Sequence, residues 1–308
     1  MEIRIKMRFK NTVRFVLSFV TLMGIWGCQK VINVDLNEAS PQMVIEGLIN
    51  DAPGPYTVTI SKSGSYFNQS VLEMVSGAQV IINDNNGTTD TLKELISGVY
   101  FTRKTRGVPG RTYTLKVISG DQEYDGSSTM FSHVNIDFLM LVKSDSQRFD
   151  FGGDNKNHTN VDIHCFFRDP AEKNFYRIKV FRNDTINNDN YRLFDDQYTN
   201  GQETELRVAN ATAGDTFRVE LLSLDQATYE YYRTLEDLLH TNPIFGSTPA
   251  NPNNNLSNGA LGYFGACAVS YKTIVVTDSM IKAAEYVIYP TPPSIPCQNT
   301  SLFFQACF

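Results

Sequence analysis

The sequence predicts a mainly β protein, in which an antiparallel β-sandwich is followed by a second β-rich, sandwich-like domain with one or two helices. Two observations lead to this fold class. From residue 43 onward, short runs rich in Val, Ile, Thr and Tyr alternate apolar with polar side chains, as half-buried strands do. Gly, Asn, Asp or Pro closes each run, at intervals of about ten residues.

Residues 1–27 have the pattern of a bacterial secretory signal peptide. Their apolar run has 12 residues, at positions 15–26, whereas a membrane-spanning helix needs about 20. The basic residues before it are Arg4, Lys6, Arg8, Lys10 and Arg14. Removing this segment takes away a net charge of +4 and the single tryptophan, leaving 281 residues with a net charge near −10. Such an acidic chain is not expected to bind nucleic acid.

Cys28 is the candidate lipidation site. The small residue Gly27 directly precedes it, so a lipoprotein signal peptidase would cut there and leave a cysteine to carry acyl chains such as palmitate. Two or three such chains, at about 0.8 kcal/mol per buried methylene, anchor a protein firmly to a membrane. Residues 28–42 then form a lipidated tether. The alternative is an ordinary signal peptide, or an uncleaved anchor, with a coincidental cysteine.

Residues 43–133 are predicted to form the N-terminal sandwich. Its strands are expected near residues 44–45, 56–61, 78–83, 99–102 and 112–118. Asp84-Asn-Asn-Gly87 is a hairpin turn signal, and a solvated turn is favoured over a calcium loop. Tyr113, just before a strand, is placed like the tyrosine that begins a strand in immunoglobulin-like and transthyretin-like modules.

Residues 134–308 are predicted to form the second β-rich domain. Its strands are expected near residues 161–168, 175–181, 205–208 and 216–222. One helix is predicted, with a capping box made by Ser223 and Gln226. Its apolar stripe, expected to pack on a sheet, holds Tyr231, Tyr232, Leu235, Leu238 and Leu239.

A loop rich in Pro, Asn, Ser and Gly follows the helix, at residues 243–259. Long loops inside compact domains are uncommon and often functional. This loop and the strand after it are the candidate contact site, and the alternative is a flexible surface connection. The candidate contact residues are Asn255, Gly259, Tyr263 and Phe264.

Four cysteines remain besides Cys28. Cys297 and Cys307 are a candidate disulfide, which would stabilise the C-terminus by roughly 2.5 to 3 kcal/mol in the chain-entropy model. Cys165 and Cys267 lie in apolar strands, where either a bridge between strands or two buried thiols would fit. No Cys-x-x-Cys pair occurs, which argues against a structural zinc site.

Motifs that carry catalysis are absent from the sequence: it has no nucleophile elbow, no His-Glu-x-x-His and no phosphate loop. The four histidines are scattered. His164 and Cys165 are adjacent on a predicted strand, so their side chains point to opposite faces and do not form a dyad. We therefore predict a non-catalytic protein without a metal or cofactor.

A series of segments between Cys28 and about residue 270 resembles the Bacteroidota outer-membrane lipoprotein family catalogued as domain of unknown function 4249. The segments are Cys28-Gln-Lys30, Val44-Ile-Glu-Gly-Leu-Ile49, the run of residues 53–63, Val75-Ser-Gly-Ala-Gln-Val80, Gly98-Val-Tyr100, Gly110-Arg-Thr-Tyr-Thr-Leu115, Tyr198-Thr-Asn-Gly201 and residues 259–266. The resemblance implies an immunoglobulin-like or transthyretin-like N-terminal domain. It carries over one functional residue, Cys28, and no catalytic residues. Cys297 and Cys307 lie outside the family's pattern.

Two functions remain open. The resemblance implies a lipid-anchored protein of the outer membrane, exposed on the cell surface, and members are often encoded near TonB-dependent transporters. The first expectation is therefore a non-catalytic accessory protein that docks on such a transporter, or on another outer-membrane barrel, and assists solute capture. The second is a stand-alone cell-surface module that binds a glycan or a peptide through the loop at residues 243–259.

Overall fold

Strands make up just over half of the residues that the structure describes, which confirms the predicted fold class. A computed structural model describes residues 40–64, 72–143, 161–186, 191–240 and 251–284. Within these ranges the chain has seventeen strands and two helices. The described residues from Pro41 onward belong to one compact unit. The division predicted between residues 133 and 134 stays a prediction.

The first nine strands are short and follow one another closely. They are β1 (Met43–Asn50), β2 (Thr57–Lys62), β3 (Glu73–Met74), β4 (Gln79–Asp84), β5 (Thr89–Thr91), β6 (Lys93–Ile96), β7 (Val99–Phe101), β8 (Thr112–Ser119) and β9 (Gln122–Thr129).

The remaining strands alternate with two helices near the end of the described chain. They are β10 (Ile136–Lys143), β11 (Val161–Arg168), β12 (Phe175–Arg182), β13 (Thr185–Ile186), β14 (Leu193–Asp195), β15 (Glu203–Asn210), β16 (Thr216–Leu224), helix α1 (Gln226–His240), β17 (Leu261–Val275) and helix α2 (Asp278–Ala284).

A ten-stranded sheet connects the two parts of the chain. Its strand order is β13-β12-β16-β17-β1-β2-β7-β6, with β14 beside β12 and β3 beside β2. Two smaller sheets have the orders β10-β11-β15 and β5-β4-β8-β9. The large sheet therefore contains strands from both sides of the predicted division at residue 133.

Three hydrophobic clusters hold the layers together. The first lies between strands β1, β2, β7 and β17 on one side and β4, β8 and β9 on the other, as in a sandwich. The second lies between the sheet of β10, β11 and β15 and strands β12 and β16, with α2 beside it. The third lies between α1 and the opposite face of β12, β16 and β17.

Strand β17 is the only described strand that contributes to all three clusters. Its first half pairs with β1 in parallel, from Leu261 to Cys267. Its second half pairs with β16 in antiparallel, from Ala268 to Val275. Gly262 makes the close approach to β1 possible, since its φ is +94° and a Cβ there would lie 2.1 Å from the Ile45 carbonyl oxygen.

Helix α1 is confirmed, but its predicted cap is wrong. Ser223 belongs to β16, and Asp225 caps the helix instead: its Oδ1 accepts a hydrogen bond from the Thr228 amide at 2.8 Å. The strand continues one residue beyond the predicted cap, to Leu224, because Ser223 still pairs with Ala268 across the sheet. The stripe is confirmed for Tyr231 and Tyr232, which are buried, whereas Leu239 is 66% exposed.

Two polar features of the N-terminal sandwich match their predicted roles. The Asp84 carboxylate accepts hydrogen bonds from the Asn86 and Thr88 amides, which makes residues 84–87 a hairpin turn. The Tyr113 hydroxyl donates to the Arg106 carbonyl and accepts from the Val108 amide, at 2.8 and 2.7 Å. Tyr113 therefore fixes the loop before β8 to that strand by hydrogen bonds, as the tyrosine corner does in immunoglobulin-like domains.

The buried carboxylate of Asp90 fixes the loop that follows β7. One oxygen, Oδ2, accepts hydrogen bonds from the amides of Arg103, Lys104 and Thr105 and from the Thr105 hydroxyl. Burial by itself raises the pKa of Asp90, but the amide hydrogen bonds outweigh it, so the pKa lies below the ordinary 3.8. The ionised carboxylate is therefore part of the folded structure.

Replacing Asp90 tests this role. Asp90→Ala leaves three amides without their acceptor and should lower the free energy of unfolding by about 3 kcal/mol, measured by urea denaturation at neutral pH. Asp90→Asn keeps one acceptor and should lose about 1 kcal/mol.

The control is Asp121→Ala, because Asp121 is exposed in the turn between β8 and β9. Since the folded pKa is lowered, the stabilisation by Asp90 should be complete above pH 3.8 and be lost as the pH falls below it. An Asp90→Ala protein as stable as Asp121→Ala would contradict this role.

Candidate functional site

Three predicted site residues lie outside the described residues: Cys28, Cys297 and Cys307. The lipidation site and the terminal disulfide therefore stay predictions. Among the helices of the described ranges, none is long and apolar enough to cross a membrane.

Asn255 satisfies an edge of β17 that pairs with no other strand of the described residues. Its side-chain oxygen accepts from the Phe264 amide at 3.0 Å, and its side-chain nitrogen donates to the Phe264 carbonyl at 2.6 Å. The same nitrogen donates to the Ser127 carbonyl of β9 at 2.8 Å. One carboxamide thus replaces a strand beside Phe264, because β16 reaches β17 only from Ala268 onward.

A hydroxyl continues this arrangement two residues further along. Ser128 Oγ accepts from the Ala266 amide at 2.7 Å and donates to the Asp225 carboxylate at 2.6 Å. Asp225 is also the residue that caps α1. The edge of β17, strand β9 and the start of α1 are therefore held by one chain of hydrogen bonds.

The other predicted contact residues have different surroundings. Phe264 is fully buried in the first cluster. Gly259 is exposed in a turn with φ +69°. Tyr263 points to the opposite face from Phe264 and packs beside α1 in the third cluster. The structure thus gives Asn255 a hydrogen-bonding role and Phe264 a packing role. The role of the loop in contacting a partner stays a prediction.

Tyr263 belongs to a group of four tyrosines, two of which contact an arginine. We call Arg177, Lys179, Tyr191, Tyr232 and Tyr263 the tyrosine–arginine site. The Arg177 guanidinium carbon lies 4.7 Å from the ring centre of Tyr191 and 4.4 Å from that of Tyr232. These distances are those of cation–π contacts.

The rings of this site also contact one another. The Tyr232 hydroxyl donates to the Tyr263 hydroxyl at 2.6 Å, and the two ring centres are 5.1 Å apart. Tyr231, the fourth tyrosine of the group, has its ring centre 4.6 Å from that of Tyr263. Burial raises the pKa of Tyr232 and raises that of Tyr263 well above its ordinary value, so both hydroxyls are neutral at physiological pH.

Lys179 lies two residues from Arg177, on the same face of β12. Burial lowers its pKa, and the like charge of Arg177 lowers it further. Its cross-strand neighbour is Glu220, which pairs instead with Arg218 at 3.3 Å. Two cations thus share one partly buried face of the sheet.

Most other buried charges of the described residues have structural partners. Asp162 accepts two hydrogen bonds from Arg207, at 2.6 and 2.9 Å. Asp169 accepts from the Tyr176 hydroxyl at 2.5 Å, inside the second cluster. The described ranges contain no group of three or more His, Cys, Asp or Glu side chains that could hold a metal ion.

Cys165 and Cys267 are two buried free thiols, which decides between the two alternatives left open by the sequence. Cys165 lies in the second cluster and Cys267 in the third. Burial raises the pKa of each thiol to about 12, so neither forms the reactive thiolate at neutral pH.

The sequence analysis missed Arg177, Lys179 and Tyr191 as site residues. A signal was present in β12, where these two cations alternate with Tyr176, Ile178 and Val180, which belong to the second cluster. Such alternation indicates a strand with a polar face. It does not indicate that α1 and Tyr191 pack over that face.

Comparison with known proteins identifies a family. A family model described as "Domain of unknown function (DUF4249)" matches residues 29–273. No curated protein matches the chain significantly. Among solved structures, the selenomethionine-substituted chicken interferon gamma receptor alpha chain is 10% identical, covers 60% of this chain and 90% of its own, and has a TM-score of 0.18. That score is too low to support an argument.

Asn255→Ala should lower the free energy of unfolding by about 2 kcal/mol, because the Phe264 amide and two carbonyls lose their partner. Asn255→Asp should also destabilise the protein, since a carboxylate would face both carbonyl oxygens. Thermal and urea unfolding measure the effect. Asn251→Ala, at an exposed position of the same segment, is the control and should change stability little. Equal stability of Asn255→Ala and the control would contradict the role of Asn255.

The two thiols should resist alkylation. N-ethylmaleimide added to the native protein should leave Cys165 and Cys267 unmodified, as read by mass spectrometry of peptides. The same reagent in denaturant should modify both. Modification of either residue in the native protein would show that its cluster is open to solvent.

Proposed function

This chain belongs to the DUF4249 family, and we propose that it is a non-catalytic, lipid-anchored accessory protein of the outer membrane. Cys28 carries the lipid, the body is exposed at the cell surface, and it docks on a TonB-dependent transporter or another outer-membrane barrel to assist solute capture. The family model begins at residue 29, directly after the proposed lipidation site.

The position of β1 is the observation that carries the proposal. Residues 29–42 separate Cys28 from β1, and 14 extended residues reach at most about 50 Å. Strand β1 lies inside the ten-stranded sheet, between β17 and β2. The anchor is therefore joined to the core of the body, which keeps the whole body within reach of a neighbouring membrane protein.

The chemistry of the described residues supports a binding role. Carboxylates such as Asp90, Asp162 and Asp225 hold loops, strands and a helix cap in place. The tyrosine–arginine site, by contrast, combines aromatic rings with two cations on one face. Aromatic and cationic side chains suit the recognition of a solute or a partner.

The same site favours a second candidate function, a stand-alone surface module that binds a glycan or a peptide. The two functions differ in whether the protein needs a partner protein to bind its ligand. The accessory protein works beside a barrel, whereas the module binds its ligand unaided.

The test is co-purification from the bacterium that produces the protein. Tagged full-length protein should be recovered from gently solubilised outer membranes together with a barrel protein identified by mass spectrometry. Cys28→Ala should lose the lipid, leave the membrane fraction and recover no barrel. Asn33→Ala changes the tether without removing the cysteine and is the matched control.

Lipidation itself should appear as an acyl-modified N-terminal peptide in the wild-type protein and in Asn33→Ala. Recovery of the wild-type protein without any barrel, at every detergent strength, would overturn the accessory role. If that protein then bound a glycan or peptide by itself, the second function would replace the first.

A further inference from the structure

Arg177 and Lys179 are two cations that make no direct ion pair among the described residues. Neither forms an ion pair there, although twelve ion-pair contacts join other side chains of the described chain. The Arg177 Nε atom is buried and has no hydrogen-bond partner within the described residues. A partly buried cation without a partner lowers the stability of the folded protein. The presence of such a cation therefore calls for an explanation.

Packing holds the arginine in place without neutralising it. The rings of Tyr191 and Tyr232 lie within 4.7 Å of the guanidinium carbon. They fix its plane but offer no hydrogen-bond acceptor to Nε. Cys267, the fully buried neighbour in the third cluster, is a neutral thiol because its pKa is raised to about 12. The positive charge of Arg177 is therefore not neutralised by these neighbours.

The second cation is held close to the first. Lys179 stands one strand repeat from Arg177, about 7 Å along β12. Burial lowers the pKa of Lys179, and repulsion by Arg177 lowers it further. The charge of Glu220, across the sheet, offsets part of this effect, but the Glu220 carboxylate forms its ion pair with Arg218 and not with Lys179. An anion between the two side chains would satisfy both.

We propose that the tyrosine–arginine site binds a small carboxylate, held by the guanidinium of Arg177 and the ammonium of Lys179. The planar fork of an arginine matches the two oxygens of a carboxylate. The tyrosine rings suit a planar apolar body attached to it. This gives the solute of the proposed accessory role a chemical class. The proposal that the solute is a carboxylate rests on the proposed accessory role. Binding of a carboxylate to the site itself requires neither a lipid nor a barrel.

The test is binding to the purified full chain in detergent. Benzoate is the probe, and benzamide is its neutral isostere. Isothermal titration calorimetry at constant ionic strength should show binding of benzoate and no measurable binding of benzamide. Benzoate should also raise the melting temperature. Inorganic phosphate, which is a tetrahedral anion, should bind more weakly than benzoate.

Variants connect the binding to the two cations. Arg177→Gln and Lys179→Gln should each weaken benzoate binding by about tenfold or more. Arg168→Gln is the matched control, because Arg168 is exposed and pairs with exposed Glu203, so affinity should not change. Without benzoate, Lys179→Gln should melt at the same temperature as the wild type or higher, since it removes the repulsion from Arg177.

Several outcomes would overturn the assignment. Equal binding of benzoate and benzamide would show that charge is not recognised. Equal binding of phosphate would exclude a carboxylate-specific site. Absence of benzoate binding to a wild-type protein that unfolds cooperatively would remove the site altogether. Each of these results is independent of whether a barrel co-purifies.

Discussion

The pairing of β17 with both β1 and β16 is the constraint on which the rest of the structure depends. One side of the strand faces the first cluster, where Phe264 is fully buried, and the other faces α1 through Tyr263. Further along, Ile274 packs against the second cluster. Removing this strand would separate the layers of the N-terminal sandwich from those of the second β-rich part. The hydrogen bonds of Asn255, Ser128 and Asp225 secure the half of β17 that lacks β16.

Local patterns predicted most strands, because alternation and turn residues are properties of neighbouring residues. The fold class, the hairpin at Asp84 and helix α1 were found in this way. The position of the helix cap was wrong because the sheet extends β16 to Leu224. That extension depends on pairing with β17, and pairing is not encoded in the four residues of a capping box.

The candidate site was harder to predict because it joins distant segments. Tyr263 was singled out from the sequence, but Arg177 lies on β12, Tyr191 precedes β14, and Tyr232 lies on α1. Only the order β12-β16-β17 brings them to one face. Asn255 was also singled out, as a contact residue, yet the structure shows it completing a strand edge. A polar side chain in a loop does not reveal from sequence whether its partners are internal or external.

The parallel neighbour of β1 also has a consequence for the order of folding. Ile45 lies opposite Gly262, 217 residues later in the chain. A chain that is delivered from its N-terminus exposes β1 with one edge unpaired until Leu261 to Cys267 have emerged. Until then the first cluster also lacks Phe264, Ala266 and Ala268. Such long-range contacts make folding slow, and the N-terminal sandwich completes its core only when nearly the whole chain is present. The last long strand of the described chain, β17, thus sets the time at which β1 becomes stable.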